Sequence, residues 1–136
     1  MPFAHHETVR FHHVDAAGIM YFARVFELCH VAMEAAIDAT GTRFGDLFDA
    51  PEVLLPVVHA EADYRRPLRL GDVVRIEASL EPRSERSILW RYRLVGEDGE
   101  LRAEAQIVHA AMDPKTHRSA LVPPAFVAAV RAVTDL

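Results

Sequence analysis

Between Val73 and His109 the chain alternates apolar and polar residues three times over, with short turns between the runs, and few folds accept that pattern. Val74, Ile76, Ala78 and Leu80 interleave with Val73, Arg75, Glu77 and Ser79. Ile88, Trp90, Tyr92 and Leu94 alternate with Arg91 and Arg93 in the next run, and Leu101, Ala103, Ala105, Ile107 and His109 with Arg102, Glu104 and Gln106 in the last. A period of two puts each set on its own face of a half-buried strand. Asp98-Gly99 is a strong hairpin turn. Three consecutive strands with short connections imply an antiparallel meander, so the class is α+β.

The helix that covers such a sheet is also legible. From Phe22 to Thr40 the period is helical, with Phe22, Val25, Cys29, Ala32, Met33, Ala36 and Ile37 recurring at three- and four-residue steps. Gly41 is a fitting C-terminal stop. Residues 6–13 read as a strand with Val9 and Phe11 on one face and Arg10 and His12 on the other. Val57 to Arg66 reads as a strand ended by Pro67, and Leu70-Gly71-Asp72 as a turn. Pro123-Pro124 opens a short helix through Val130. The expected order is strand, long helix, four strands, short helix, with the long helix packed on a sheet of about five strands.

Bulk properties exclude several functions. A chain of 136 residues, 51% hydrophobic, is expected to be one domain, residues 1–136, with a real core rather than a disordered segment. The net charge of −5 argues against nucleic acid as a partner. The single Cys29 forms no internal disulfide, which suits a reducing cytosol, and its place in the apolar stripe predicts a buried core thiol. No apolar run approaches the roughly 20 residues of a membrane span and no signal pattern opens the chain, so a cytoplasmic protein without membrane contact is expected.

The chemistry concentrates in His13-Val-Asp-Ala-Ala-Gly-Ile-Met-Tyr-Phe22. Asp15 stands in a small-residue turn directly before the long helix. A helix N-terminus offers unpaired N–H groups and partial positive charge, and between Gly18 and Phe22 no Ser, Thr, Asp or Asn stands where it would cap them. A carboxylate beside free donors suits acyl transfer: an attacking group or base, and an oxyanion hole. On spacing alone the commoner reading is that Asp15 is a local turn-former satisfying its own backbone. Gly18 reads as a turn residue with positive φ, a role compatible with either reading.

Asp15-Ala-Ala-Gly-Ile-Met-Tyr-Phe22, followed by Val25-Phe26, His30 and Glu34-Ala35, resembles the signature of the 4-hydroxybenzoyl-CoA thioesterase family of hotdog-fold proteins, most of all its 1,4-dihydroxy-2-naphthoyl-CoA thioesterase type. The resemblance runs from about Glu7 to Val130. It implies a hotdog fold, a five-stranded antiparallel sheet wrapped around one long helix with a short C-terminal helix. It also implies a homo-oligomer, a dimer or a tetramer built as a dimer of dimers, with ligand sites between subunits. The reaction implied is hydrolysis of an aromatic acyl-CoA, hydroxybenzoyl or dihydroxynaphthoyl in type, to free acid and CoA. Asp15 would be nucleophile or general base, with the Phe22 N–H as oxyanion donor and Gly18 in the same catalytic turn.

Further site residues follow with alternatives. Tyr21 and His30 are expected to line the acyl pocket, with Glu34 on the same polar stripe as Glu27 and Asp38; a solvated helix face is the other reading. His13, two residues from Asp15, would share its face in an extended segment and orient it. Arg83, Ser84, Arg86 and Ser87, in a loop between two strands, are candidates for the CoA phosphates, or are ordinary solvated turn residues. There is no His-Glu-x-x-His and no clustered cysteine, so no metal is expected, and no cofactor, CoA being part of the substrate. Met33 stands where members of the naphthoyl type often carry an aromatic residue, which leaves the acyl group open. The rival activities are a thioesterase for aliphatic acyl-CoA and a non-catalytic acyl-CoA or acyl-carrier binding module.

Overall fold

In the computed structural model, which describes residues 3–42 and 51–135, the meander folds as its alternation requires. The elements are β1 (Phe3–Thr8), a 3-10 turn (Phe11–His13), α1 (Arg24–Asp38), β2 (Val57–Tyr64), β3 (Val73–Ser84), β4 (Ser87–Gly96), β5 (Leu101–Ala110) and α2 (Pro124–Thr134). All strands join one antiparallel five-stranded sheet in the order β1-β3-β4-β5-β2. The two outer strands, β1 and β2, are those contributed from outside the meander.

The period-2 pattern sets the faces. Val74, Ile76, Ala78 and Leu80 of β3 are buried, as are Ile88, Trp90, Tyr92 and Leu94 of β4 and Ala103, Ala105 and Ile107 of β5. Val25, Leu28, Cys29, Ala32, Ala36 and Ile37 of α1 join them in one core. Burying a side chain such as Leu28 or Ile76 is worth about 1.5–3 kcal/mol, so this interface is the main source of stability. Cys29 is fully buried, and burial pushes its thiol well above its ordinary range, which makes it the core residue expected and no nucleophile. No helix of the described residues is long and apolar enough to cross a membrane.

Several boundaries differ from expectation, the C-terminal helix running to Thr134 and not Val130. The first strand covers Phe3–Thr8, not 6–13, and Phe11 is 83% exposed. Its partner β3 begins at Val73, opposite Thr8, so the ladder has nothing further to pair with. Val9 N–H closes onto the Asp72 carbonyl, and the chain turns into the 3-10 segment with His13 N–H on the Arg10 carbonyl. Helix α1 starts at Arg24, so Phe22 lies in the turn that leads into it. The presumed loop of Arg83 to Ser87 is mostly strand: β3 runs through Ser84, β4 starts at Ser87, and only Glu85-Arg86 turns.

Candidate active site

The segment from Arg10 to Phe22 is a compact loop held at both ends. Val14 bridges Met20, and Ile19 bridges Arg69. At the tip, Gly18 N–H donates to the Asp15 carbonyl at 3.0 Å and Asp15 N–H to the Ile19 carbonyl at 3.0 Å. Gly18 takes φ +74° there, a conformation that L side chains resist. Asp15 is exposed, and its Oδ1 accepts the Ala17 N–H at 2.8 Å. The turn-forming role is therefore real, and it employs only one carboxylate oxygen.

The helix entry leaves donors free. Arg24, Val25 and Phe26 N–H groups bond back to the Tyr21, Phe22 and Ala23 carbonyls at 2.9, 3.4 and 3.4 Å, and Tyr21 N–H donates to the His13 carbonyl at 2.9 Å. The helix has no side-chain cap. Among the described residues no acceptor takes the Phe22 or Ala23 N–H. Two donors at the positive end of a 15-residue helix thus stand in the same turn-and-helix unit as Asp15. Tyr21 and Phe22 are 50% and 60% exposed, their rings 4.8 Å apart, and form an apolar lip beside these donors. The Tyr64 hydroxyl, at the end of edge strand β2, donates to the Phe22 carbonyl at 2.5 Å and ties this lip to the sheet.

His13 has another task than the one expected. Its side chain is buried, bonds away from Asp15, and Nδ1 accepts the Arg10 N–H at 2.8 Å. The neutral ring must then carry its proton on Nε2, which faces Glu27 Oε1 at 3.4 Å. Burial pushes the His13 pKa down and the adjacent His12 ring adds to this, against the attraction of Glu27. Glu27 also meets His12 Nε2 at 3.3 Å and the Arg24 guanidinium at 3.0 Å. Partial burial works against its charge, but the hydrogen bond from Arg24 and the charges nearby hold its carboxyl below the usual range. Glu27, weighed lightly in the sequence, is thus the residue that pins the loop to the first turn of α1.

The ligand atoms of His12, His13 and Glu27 lie within 4.8 Å of one another, a spacing a metal could accept. The donor set does not fit one. A metal needs the Nε2 lone pair, whereas the Arg10 N–H on Nδ1 leaves the proton on Nε2.

The other predicted residues lie elsewhere. His30 and Glu34 sit on the exposed face of α1. The His30 ring is 6.2 Å from that of His109; desolvation by surrounding protein, then the neighbouring His109, lowers its pKa. At the β3–β4 turn, Ser84 and Ser87 hydroxyls bond each other at 2.8 Å, Arg86 N–H donates to Ser84 Oγ at 3.1 Å and its guanidinium to Ser119 Oγ at 3.3 Å. Arg83 is exposed. The whole length of β3, about 36 Å at 3.3 Å per residue, separates this turn from the Asp15 loop within one subunit.

Known proteins resemble this chain in sequence and fold. The model of the thioesterase-like superfamily matches residues 9–130. The 1,4-dihydroxy-2-naphthoyl-CoA hydrolase of Synechococcus elongatus is 38% identical over 117 residues, 85% of each chain. The hydrolase of the same name from Rippkaea orientalis is 36% identical over 113 residues, 82% of each chain. A 1,4-dihydroxy-2-naphthoyl-CoA thioesterase from Synechocystis shares the fold with a TM-score of 0.88 over 96% of each chain, at 24% identity. With a hotdog sheet and helix, and a match that spans the Asp15 loop, α1 and the meander together, this chain belongs to the thioesterase-like superfamily.

Proposed function

We propose that the chain hydrolyses an aromatic acyl-CoA, hydroxybenzoyl or dihydroxynaphthoyl in type, to the free acid and CoA. The observation that carries this reading is the pair of unclaimed N–H groups at Phe22 and Ala23 in the same unit as the Asp15 carboxylate. Relatives named for naphthoyl-CoA hydrolysis support the aromatic substrate class.

The thioester oxygen docks on the Phe22 N–H, where partial positive charge favours it more as it becomes an oxyanion. The Asp15 oxygen not engaged by Ala17 acts in one of two ways. As general base it takes a proton from water, whose oxygen attacks the carbonyl carbon. As nucleophile it attacks directly, giving an anhydride that water then opens. In both, the C–S bond breaks and sulfur leaves with the electron pair and gains a proton. Water, a carboxylate and a donor suffice, so the reading calls for no metal or cofactor.

The site is incomplete in one subunit. Seven of the eight β2 residues are exposed, among them Val57, Val58 and Tyr64, and among the described residues no strand pairs with its outer edge. A second copy pairing on this edge would bury it and, through Tyr64 and Phe22, close over the oxyanion donors. Arg83 and Arg86, too far from Asp15 in their own subunit, would then reach CoA phosphates only across an interface.

The test is thiol release from a panel of aromatic and aliphatic CoA esters by the wild type and Asp15→Asn. Aromatic turnover that falls at least a hundredfold in the variant is expected. A preference for aliphatic esters overturns the substrate class, and full activity in Asp15→Asn overturns the mechanism.

A further inference from the structure

Tyr64 closes edge strand β2, where it pairs with Ala103 of β5. The next two N–H groups, of Arg65 and Arg66, both donate to the Arg102 carbonyl, at 2.8 and 3.1 Å, so the sheet fixes the backbone that carries the phenol. From there the hydroxyl reaches the Phe22 carbonyl, 42 residues away in sequence, and donates to it at 2.5 Å. The other donor to that carbonyl among the described residues is the Val25 N–H, at a long 3.4 Å in the first turn of α1. Tyr64 is therefore its strong partner. Burial pushes the phenol pKa up, with Cys29 adding to it, so the hydroxyl keeps the proton it donates. Tyr64 is 50% exposed, and at such a place water would serve the carbonyl nearly as well. The bond adds little stability; what it fixes is direction.

The Phe22 carbonyl and the Ala23 N–H belong to one planar peptide. Rotation of that plane moves both, and a hydrogen bond accepted at its oxygen polarises the peptide and strengthens its N–H as a donor, by roughly 10–30%. Ala23 is the N-cap of α1, with φ −69° and ψ −20°, and its N–H is one of the two that no described acceptor takes. We infer that Tyr64 is a positioning residue for the hydrolysis: through the Phe22 carbonyl it aims and polarises the Ala23 N–H as an oxyanion donor beside the Phe22 N–H. The inference rests on the hydrolytic reading of the Asp15 loop and adds to it a residue from the sheet. In this role the hydroxyl need not meet the substrate. Its effect belongs to the transition state, because a better-aimed donor gains most once the thioester oxygen carries charge.

The experiment is Tyr64→Phe, which deletes the hydroxyl and keeps the ring, assayed by thiol release from an aryl-CoA ester with Asp15→Asn alongside. Losing an oxyanion donor outright costs about 100-fold or more in kcat. Here one donor is weakened and not removed, so kcat is expected to fall about tenfold with KM within about twofold of wild type. In ¹H–¹⁵N spectra the Ala23 amide resonance is expected to move upfield as its peptide loses polarisation. Should Tyr64→Phe fail to fold, 3-fluorotyrosine in place of Tyr64 is a stronger donor of nearly the same shape. Assayed below the pH at which it ionises, it is expected to raise kcat and move the Ala23 resonance downfield. An unchanged kcat, a loss carried by KM, or an unmoved Ala23 resonance overturns the inference, and turnover that still depends on Asp15 then leaves the hydrolytic reading standing. A loss of activity that vanishes at higher protein concentration assigns Tyr64 to subunit pairing and also overturns it. A wild type that turns over no aryl-CoA ester, or full activity in Asp15→Asn, overturns the hydrolytic reading and this inference with it.

Discussion

Replacing Glu27 by Ala tests whether the Asp15 loop is held from α1. The change leaves the His13 Nε2–H without its acceptor in a side chain that is 5% exposed. An orphaned buried donor costs about 1–3 kcal/mol. The lower end applies here, because the contact is long at 3.4 Å and Glu27 itself is 38% exposed, so water can enter the space. Loss of the Arg24 pair at i,i+3 adds about 0.3 kcal/mol, which the better helix propensity of Ala offsets. The net is about 1 kcal/mol, or about 4 °C in Tm for a chain of this size. Glu27→Gln keeps an oxygen acceptor and should lose about half as much. A thermal melt of both variants, with a double-mutant cycle through His13→Ala, measures it; a coupling of about 1 kcal/mol is expected. Because the clamp fixes where Asp15 stands, aryl-CoA turnover should fall in kcat more than it rises in KM. An Ala variant with unchanged Tm and turnover, or a cycle that closes with no coupling, refutes the argument.

Two further outcomes follow from single observations. Gly18→Ala meets no atom within 4 Å of the new Cβ, so only the φ of +74° opposes it; a loss of about 1 kcal/mol is expected in urea unfolding, and a stabilised variant would contradict the turn geometry. His13 and His109 both titrate below the ordinary value of 6.5, in each case through burial first. The unfolded chain therefore binds protons that the fold refuses, so their contribution is whole above pH 6.5 and is lost as pH falls through the folded pKa values. Tm should hold steady from pH 8 to 7 and decline below about 6.5; a Tm that rises on acidification would reverse the assigned direction.

The meander and the helix were readable because their patterns have one solution each. Val74 to Leu80 and Ile88 to Leu94 alternate strictly, and a one-residue slip would bury Arg75, Glu77, Arg91 and Arg93. The start of the chain had no such guard. Phe11 fits the apolar side of a strand by spacing, yet strand length was decided by where β3 begins, a long-range fact that local periodicity does not carry. Ser87 illustrates the same limit: as a loop serine it suggested a phosphate contact, but the hairpin places it in the sheet with its hydroxyl engaged by Ser84. Glu27, read only as part of a polar stripe, and His109, read only as a strand residue, were undervalued for a different reason. Each is defined by a partner far along the chain, His13 for one and Leu55 for the other, and by the proton position those partners impose.

That difference in legibility bears on how the proposed site works. The Asp15 turn and the uncapped helix start were readable because both are local, while Phe22 was singled out as donor by the family resemblance; locality also leaves these residues in water, with Asp15 exposed and Phe22 60% exposed. A unit charge 4 Å from an opposite one gains about 1 kcal/mol in bulk water and about 4 kcal/mol at an effective dielectric of 20. The oxyanion's stabilisation by helix-end N–H groups scales the same way, so most of it depends on what covers the lip of Tyr21 and Phe22. Among the described residues Tyr64 reaches there, from the exposed edge β2. On the proposed reading, the strand edge that makes a lone subunit prone to pair and the exposure that weakens its catalytic donors are resolved by one event, the docking of a second copy. On that reading activity should track the dimer rather than the total protein on dilution, because the electrostatic part of catalysis would be created where a second copy covers β2.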